Sequence, residues 1–593
     1  MPAMLAVTLT TLALVSGTTA PERTILFPML RNGDFELPQE PAVVPGGIPW
    51  WLQRDGDCQL VVDEGRTWLV TSGAAVASQP IPAYAPLAED LVIRGTVQGV
   101  GRLRLVDGGG RAVEREVGWK GKTAQFELSG VLLAEQMGAA PVPRLELELS
   151  AAGDAPARWT DLELLVPLPC PDEEELRAEV VARLQDCIDP WLERGLDRFG
   201  SRETGLVGAF FDAVTGEVIT THAAGYHPLT GLLFDAVEFV PDPDWEAALD
   251  RWLADAAECL VQPDTGLPRR WHVFDDRPLD ARFLEIHLDL EFWLDVAERG
   301  PEAWRARALA IAERMGAAVL ARGVLPDGNL APKYRPSDGA SSNEARSIRR
   351  LDVPAQLVRL ARLGGDERGL EVSRDAVANL LYTHYWPGSW YRIDPGFDDD
   401  FGHYAQRAGV MATCYPDEPL FRRVVDTGWE RYRVLWPQAL RFGGSMAADQ
   451  VRGWKILIDY AELRPEIRPE LDGLLEEAVH AHLRGQQYGN GAWGDVTYFG
   501  FQPAVDLQVG DLPGTPTNLL EGLADVYASG LGPEPEHTRA LFTAVLRSSV
   551  DQYWRRYGFL STVAEVDGPN HAGGSLRIGP ALTRMLAALS GPR

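Results

Sequence analysis

The sequence contains little cysteine and none of the spacings that bind zinc. Its five cysteines lie far apart, and neither a CxxC pair nor an HExxH motif occurs: Cys58, Cys170, Cys187, Cys259 and Cys414. A zinc site built on closely spaced Cys and His ligands is therefore not predicted. We expect most of these cysteines to be buried thiols that pack as small hydrophobic groups.

Positive charge is also scarce. The chain has 56 Lys and Arg residues against 85 Asp and Glu residues, a formal net charge of -29. Nucleic acids are bound through an excess of Lys and Arg, so a nucleic-acid partner is not expected. The same balance disfavours an anionic polysaccharide as substrate, although a locally basic loop can still bind one.

Long apolar runs are absent, since no stretch of about twenty apolar residues could span a bilayer. A shorter run extends from Met4 to Val15 within residues 1–20, and small residues follow it up to Ala20. This pattern resembles a secretory signal peptide. We therefore expect a secreted, periplasmic or cell-surface protein without a membrane span after leader removal. An N-terminus without a targeting role is the alternative.

The length of 593 residues predicts two or three domains. Residues 25–168 alternate apolar and polar side chains with a period of two, as in Arg144 to Leu149, and turn-forming residues separate these stretches. Short strands with frequent turns are typical of an all-β sandwich or jelly roll.

Three segments of this region point to a known superfamily. They are Asn32-Gly33-Asp34-Phe35-Glu36, the pair Trp50-Trp51, and a last strand from Arg158 to Leu164. Together they resemble the galactose-binding-like jelly rolls that serve as carbohydrate-binding modules. The resemblance implies either sugar binding or a purely structural appendage, and both remain open.

After Pro171 the apolar period becomes helical and stays so through residues 171–593, with about twelve to fourteen helical segments. Tight connections occur at Pro241-Asp242-Pro243, Gly300-Pro301, Gly364-Gly365, Tyr415-Pro416-Asp417 and Arg464-Pro465. Long loops rich in Gly, Asp and aromatic residues alternate with them, near 200–226, 262–279, 323–350, 387–402, 436–445, 486–515 and 557–574. Antiparallel helices joined in this way form a closed ring with all the long loops at one end.

This all-α arrangement resembles the (α/α) six- or seven-hairpin toroids of glycosidases, polysaccharide lyases and sugar epimerases. The resemblance is one of architecture, and the exact family is not identified. It implies that residues 171–593 form a catalytic domain whose cleft lies at the long-loop end. The partner it implies is an oligosaccharide or polysaccharide.

The stretch from Trp390 to Tyr404 is the richest in reactive groups. Its adjacent carboxylates Asp398, Asp399 and Asp400 repel one another, which raises the proton affinity of at least one if they are enclosed. A raised carboxyl pKa is what a general acid requires. A solvated loop, a charge cluster at a helix N-terminus and a structural calcium site are the alternatives.

His403, Tyr404 and Arg407 follow at the predicted start of the next helix, with His403 and Arg407 on one face. A Tyr, His and Arg set also suits a lyase, because Arg can neutralise a uronate while Tyr or His moves protons. Asp495 is the predicted partner carboxylate for a glycosidase, since hydrolysis needs two acids across one cleft. A turn role for Asp495 in its Gly-rich loop is the alternative.

Sugars stack on aromatic rings and bond to carboxylates and amides, so a sugar cleft is both aromatic and acidic. Lys333 and Tyr334 belong to the one locally basic loop, a candidate seat for a carboxylated sugar. His287 lies on an apolar stripe and is predicted to be a core histidine. The predicted substrate-binding residues are Tyr226, His227, Trp271, His272, Asp276, Lys333, Tyr334, Trp390, Tyr391, Arg407, Trp493, Tyr498 and His571.

The leading hypothesis is a glycoside hydrolase that uses two carboxylates with inversion of configuration. Its catalytic candidates are Asp398, Asp399, Asp495, His403 and Tyr404. The first alternative is a polysaccharide lyase acting on a uronate polymer through the Tyr, His and Arg set. An epimerase and a non-catalytic glycan-binding surface protein are the others. No cofactor is predicted, and the oligomeric state is left open.

Overall fold

The structure, a computed structural model, is all-β in its N-terminal part and all-α afterwards. Strands occupy the chain up to Pro169, and helices dominate from Glu173 onwards. The predicted fold class is thereby confirmed. The residues described are 23–28, 34–35, 52–53, 58–81, 92–107, 112–129, 145–211, 216–221, 225, 228–342, 350–383, 399–427, 429–430, 448–486, 514–553 and 574–591.

The N-terminal strands form one antiparallel sheet of nine strands in the described part of the chain. The sheet order is β2-β5-β8-β6-β9-β4-β3, with β1 paired to β9 and β7 paired to β6. The strands are β1 Thr24–Pro28, β2 Leu52–Gln53, β3 Gln59–Asp63, β4 Arg66–Thr71, β5 Val76–Ile81, β6 Val92–Asp107, β7 Ala112–Ser129, β8 Leu145–Ala151 and β9 Ala157–Pro169.

The long strand β6 joins the two halves of this sheet. Its first half pairs with β9, its second half pairs with β8, and its other edge pairs with β7. The register with β7 shifts between Gln98 and Gly99. Gly118 adopts φ 86° there, and a Cβ on it would lie 2.3 Å from the Gly99 carbonyl oxygen. Only glycine fits this position, so the bulge that lets the sheet curl depends on it.

The alternating strand residues enclose the core, as the period of two predicts. Leu147, Leu149 and Trp159 are fully buried, and the Trp159 indole donates a hydrogen bond to Thr71 Oγ1 at 3.1 Å. The intervening residues carry ion pairs across the strands, such as Arg104 with Glu148 at 2.5 Å. One face therefore supplies the hydrophobic stabilisation, and cross-strand charges occupy the other.

The C-terminal part consists of helices with a few two-stranded ribbons between them. No helix in the part of the chain that the structure describes is long and apolar enough to cross a membrane. The ribbon strands are β10 Ala209–Phe211, β11 Val218–Thr221, β12 Arg270–His272, β13 Arg277–Leu279, β14 Leu284–Glu285 and β15 Lys333–Tyr334. The helices are α1 Glu173–Arg194, α2 Pro228–Ala236, α3 Pro243–Cys259, α4 His287–Arg299, α5 Glu302–Arg322, α6 Asp352–Arg362, α7 Arg368–Thr383, α8 Asp399–Cys414, α9 Ala448–Leu463, α10 Arg468–Gln486, α11 Gly514–Ser529, α12 Pro535–Tyr553 and α13 Gly574–Ser590.

Seven of the described helices form a closed inner circle. Going round, α4 packs on α6, α6 on α8, α8 on α9, α9 on α11, α11 on α13, and α13 on α2. The circle closes between α2 and α4, where Asp235 pairs with Arg299 and the rings of Phe234 and Phe292 lie 5.8 Å apart. The helices between them in sequence pack outside, so the chain is a ring of helical hairpins.

Phe292 illustrates how the two layers of the ring are held together. It is 3% exposed on inner helix α4, and its ring lies 5.1 Å from Trp252 on outer helix α3 as well as against Phe234 on α2. Replacing such a buried aromatic ring with alanine costs about 3–5 kcal/mol. Large apolar side chains at helical spacing therefore fix both the neighbouring inner helix and the outer one.

The long connections all precede inner helices, and the short ones follow them. Outer helix α3 ends at Cys259 and inner helix α4 begins only at His287, whereas outer helix α5 begins at Glu302, directly after Arg299. The seven inner helices therefore begin at one end of the ring, which we call the mouth. Their first residues are Pro228, His287, Asp352, Asp399, Ala448, Gly514 and Gly574.

Two helix starts differ from the sequence prediction. Helix α8 begins at Asp399, so Asp399 lies in the first turn of an inner helix and not in a loop that continues to residue 402. The helical spacing of Phe283, Ile286, Leu290 and Leu294 predicts a helix that includes Phe283, but α4 begins at His287 and Phe283 is 41% exposed before it. The predicted loop extends past the true start of α8, whereas the apolar pattern begins before the true start of α4, because such patterns locate boundaries only to a few residues.

The sheet and the ring meet at the start of α1. Asp172 caps this helix in a capping box, in which its side chain accepts from the Glu175 N–H and the Glu175 side chain accepts from the Asp172 N–H. Arg23 beside β1 pairs with Glu536 on α12 at 2.6 Å, and Arg539 donates to the Pro171 carbonyl at 3.3 Å. These polar contacts hold the last helical hairpin against the first and last strands.

Candidate active site at the mouth of the ring

A charged network joins three inner helices at the mouth. Arg407 on α8 donates from Nε to Asp352 Oδ1 at 2.8 Å, and from Nη1 to Glu291 Oε1 at 3.1 Å. Asp352 is the first residue of α6, and Glu291 lies one turn into α4. A single guanidinium therefore ties α8 to both of its neighbours.

The network is buried to different degrees. The side chain of Asp352 is 1% exposed, that of Arg407 13% and that of Glu291 31%. Burial lowers the pKa of the Arg407 guanidinium, but Glu291 and Asp352 raise the pKa by more, so Arg407 stays charged. His287 Nε2 lies 3.5 Å from the other Asp352 oxygen. His287 is buried, as the prediction of a core histidine required.

Asp289 is the acid with the most unusual environment at the mouth. It lies in the first turn of α4, where its side chain is partly exposed to solvent yet closely surrounded by protein. Burial raises the pKa of this carboxyl to about 7, against smaller lowering effects of its own backbone hydrogen bond and of Arg270. A carboxyl that solvent reaches and that holds its proton near neutral pH suits a proton donor.

Acids continue down the inner face of the ring below this level. Asp295 lies one turn after Glu291 on α4 and binds Arg359 of α6 at 2.7 Å. Burial raises the pKa of Asp295 and of Asp235, even though each is paired with an arginine. The inner face thus combines paired charges with a surplus of carboxyl groups.

The opposite side of the ring has a matching cluster. Arg584 on α13 binds Asp525 at 2.9 Å and Glu521 at 3.3 Å, both on α11. Lys455 on α9 pairs with Asp459 at 2.5 Å. Burial raises the pKa of Asp525 to about 6, although Arg584 and Lys455 lower it. Ion pairs therefore cross the junction between α11 and α13, as they do between α4 and α6 and between α6 and α8.

Trp271, His272 and Asp276 occupy one ribbon, but in different settings. Trp271 on β12 belongs to the hydrophobic core and is 8% exposed. His272 is partly exposed, and its Nδ1 accepts from the Asp275 N–H at 3.2 Å. Asp276 Oδ2 accepts from Ser201 N at 2.7 Å and from Ser201 Oγ at 2.6 Å. Asp276 thus braces the ribbon against the segment before α2, and substrate contact by these residues stays a prediction.

Lys333 and Tyr334 form the short strand β15, paired with Leu284 and Glu285. Tyr334 is 1% exposed, and burial raises the pKa of its hydroxyl above the usual range. Lys333 is partly exposed. Arg407, which the sequence grouped with His403 and Tyr404, binds protein carboxylates as described above. Within the described chain, the structure brings Arg407 together with α4 and α6 and places Lys333 and Tyr334 on the segment before α6.

The remaining predicted residues lie either on α8, where only the backbone is described, or outside the described residues. Asp399, His403 and Tyr404 lie on α8, of which only the backbone is described at these positions, and the helical geometry puts His403 and Arg407 on one face as predicted. Their catalytic roles stay predictions. Outside the described residues lie Tyr226, His227, Trp390, Tyr391, Asp398, Trp493, Asp495, Tyr498 and His571.

Sequence reasoning missed three acids at the mouth: Asp289, Glu291 and Asp352. The signal was available for the first two, because His287-Leu288-Asp289-Leu290-Glu291 places acids directly after a long connection. For Asp352 no local signal exists, because its partner Arg407 is 55 residues away.

The described residues form no candidate metal centre. In the described part of the chain, no group of three or more His, Cys, Asp and Glu side chains is arranged to hold a metal ion. Of the five cysteines, all but Cys414 are buried. Burial raises the pKa of Cys259 to about 11, so this thiol remains protonated at neutral pH.

Comparison with known proteins yields structural neighbours only. No family model matches the chain. No curated protein matches it either. A sugar epimerase from a ruminal bacterium is 13% identical, with a TM-score of 0.39 over 63% of this chain and 98% of that one. A family 76 glycoside hydrolase from a bovine Bacteroides thetaiotaomicron strain is 10% identical, with a TM-score of 0.36 over 83% and 98%. A CBM4 structure is 11% identical, with a TM-score of 0.16 over 23% and 98%. All three TM-scores are below 0.5, so the fold assignment rests on the strand and ring topology of the chain itself.

Proposed function

We propose that the chain is a carbohydrate-processing enzyme whose reaction takes place at the mouth of the ring. The observation that carries the proposal is Asp289, a solvent-reachable carboxyl with a pKa near 7 in the first turn of an inner helix. Most surface carboxyls are ionised at neutral pH and cannot donate a proton. A site that keeps one protonated is suited to acid catalysis.

The reaction we propose is hydrolysis of a glycosidic bond. Asp289 protonates the leaving oxygen, and a second carboxylate on the other side of the substrate activates water. Asp398, Asp399 and Asp495 are the candidates for the second carboxylate. Asp399 begins inner helix α8, and Asp495 falls between the end of α10 and the start of inner helix α11.

The contacts of Arg407 favour hydrolysis over elimination. A lyase acting on a uronate polymer needs a cation to neutralise the substrate carboxylate. Arg407, the cation predicted for that role, is 13% exposed and already bonded to Asp352 and Glu291. Breaking these buried charge-assisted bonds to bind substrate would be costly.

The N-terminal sheet and the leader complete the proposal. We propose that residues 1–20 direct export and that residues 25–168 form an accessory domain on the catalytic residues 171–593. Measuring whether residues 25–168 bind the glycans of the screen described next tests whether that domain binds sugar. The physiological substrate is accordingly an oligosaccharide or polysaccharide outside the cytoplasm.

The test is a screen of neutral and acidic glycans with two detection channels. Hydrolysis releases reducing ends, whereas elimination also creates a double bond that absorbs in the ultraviolet. For any glycan that is cleaved, Asp289→Asn should lower the rate by about 10²–10⁴-fold, the usual contribution of a general acid. The parent rate should fall as the pH rises through about 7, because Asp289 then loses its proton.

Glu302→Gln is the matched control. Glu302 is also an acid in the first turn of a helix, but it begins outer helix α5 at the other end of the ring and its side chain is 89% exposed. This variant should keep parental activity. Asp398→Asn, Asp399→Asn and Asp495→Asn identify which of the three candidates is the second carboxylate. Full activity of Asp289→Asn on a cleaved glycan would refute the acid role, and binding without any product would favour a glycan-binding protein.

A further inference from the structure

We propose that Arg407 is a positioning residue, which fixes the first two turns of α8 against α4 and α6 and so sets the place of the reactive groups on α8. The inference rests on the proposed function, because the groups being positioned are Asp399 and His403. Arg407 acts through these residues and does not itself contact the substrate.

Arg407 lies close to both predicted reactive groups along its helix. Asp399 begins α8, and Arg407 follows it by eight residues, or about two turns. His403 lies between them, one turn from each. A contact at Arg407 therefore anchors the helix directly beneath the turns that carry both predicted reactive groups.

The contacts of Arg407 leave little freedom for that part of the helix. Its Nε binds Asp352 on one neighbour, while Nη1 lies 3.1 and 3.3 Å from the two oxygens of Glu291 on the other. Asp352 is 1% exposed, so water cannot replace the guanidinium there. Two directional bonds to two different helices fix both the distance and the rotation of α8.

Lysine cannot reproduce this arrangement. Its ammonium group is a compact point charge, whereas the planar guanidinium reaches both carboxylates from one fixed fork. Arginine is therefore the residue that can bind Asp352 and Glu291 at the same time from this position on α8. This explains why the chain places a buried arginine here despite its overall deficit of positive charge.

Arg359 on α6 provides a matched control. Its side chain is 12% exposed, and it also binds two carboxylates of α4, Asp295 and Glu298. The two arginines thus have the same burial and the same type of contact. Arg359 differs in belonging to α6 and in lying farther from the mouth, near the end of its helix.

The experiment compares Arg407→Met, Arg407→Lys and Arg359→Met in the full chain on a glycan that the parent cleaves. We expect Arg407→Met to lower kcat by about 100-fold with KM within about threefold of the parent, because misplaced reactive groups affect turnover more than binding. Arg407→Lys should recover only part of this loss. Arg359→Met should keep kcat within about threefold even if its unfolding midpoint falls equally.

Hydrogen exchange tests the inference without any substrate. Amides in the first two turns of α8 should exchange faster in Arg407→Met than in the parent, and those of α8 should remain protected in Arg359→Met. Unchanged exchange in α8 would overturn the inference, as would equal losses of kcat in both Met variants or a rise of KM alone. If the parent cleaves no glycan, the proposed function fails while the exchange result still decides the role of Arg407 in holding α8.

Discussion

Replacing Asp289 with asparagine should make the protein more stable at neutral and alkaline pH while reducing its activity. Asp289 in the folded chain has a pKa of about 7, raised by burial from 3.8. A raised pKa means that the folded state binds the proton more tightly than the unfolded state. The contribution of the group to stability is therefore present below about pH 4 and is lost as the pH rises through 7.

The size of the effect follows from the shift of about three pKa units. Each unit corresponds to 1.36 kcal/mol, so ionising Asp289 costs the folded state about 4 kcal/mol at about pH 8. Asparagine has nearly the shape of the protonated acid and does not ionise. The variant should therefore exceed the parent by up to about 4 kcal/mol at about pH 8 and match it near pH 4.

Urea unfolding of parent and variant across this pH range measures the difference, and glycan cleavage by the same samples measures activity. Higher stability with lower activity is the pattern expected where a protein maintains an unfavourable group for catalysis. A stability difference that does not change with pH would refute the reasoning, because a buried titrating carboxyl must produce a pH-dependent gap. Equal stability at every pH would show that Asp289 is ordinarily solvated.

Three further predictions concern the ring and the sheet. The parent should lose about 3 kcal/mol of its free energy of unfolding as the pH rises through 6 and Asp525 ionises, and Asp525→Asn should remove this loss. Urea unfolding of parent and variant between about pH 4 and 8 checks it. Asp352→Asn leaves Arg407 with one carboxylate partner in a buried site, so it should cost about 3–5 kcal/mol in urea unfolding at neutral pH, and no loss would contradict the network. Gly118→Ala should lower the thermal midpoint, because the new Cβ meets the Gly99 carbonyl oxygen at 2.3 Å, whereas Gly121→Ala, which meets nothing within 4 Å, should lower it less.

The ring could be predicted from the sequence because its cause is local. Turns such as Gly300-Pro301 force adjacent helices to be antiparallel, and the alternation of short and long connections then decides which helix ends lie together. The exposed and buried strand faces follow equally from local alternation, as Leu147 and Leu149 show. Both features depend on residues close to one another in the chain.

The contacts at the mouth could not be predicted, because they depend on distant residues. Arg407 is 116 residues from Glu291, and only the closing of the ring brings them together. The sequence pattern assigned Arg407 to the substrate for its charge, without knowledge of the two carboxylates that face it. Asp276 shows the same limit, since its hydrogen bonds to Ser201 cross 75 residues.

The pKa of Asp289 also indicates which part of the structure controls the chemistry. A carboxylate in the first turn of a helix is stabilised by the helix dipole by about 0.3–1 kcal/mol, which lowers its pKa. Asp289 has this position and a nearby Arg270, yet its pKa is about three units above the usual value, equivalent to about 4 kcal/mol in the opposite direction. Burial therefore outweighs both effects. The dipole stays wherever α4 begins, whereas the burial comes from the protein packed around that first turn, and Arg270 lies on β12 in the connection before the helix. A connection before α4 that is shortened but keeps Arg270 should accordingly lower the pKa of Asp289 and move the alkaline limb of the activity profile to lower pH, even though the helix and the carboxyl remain in place.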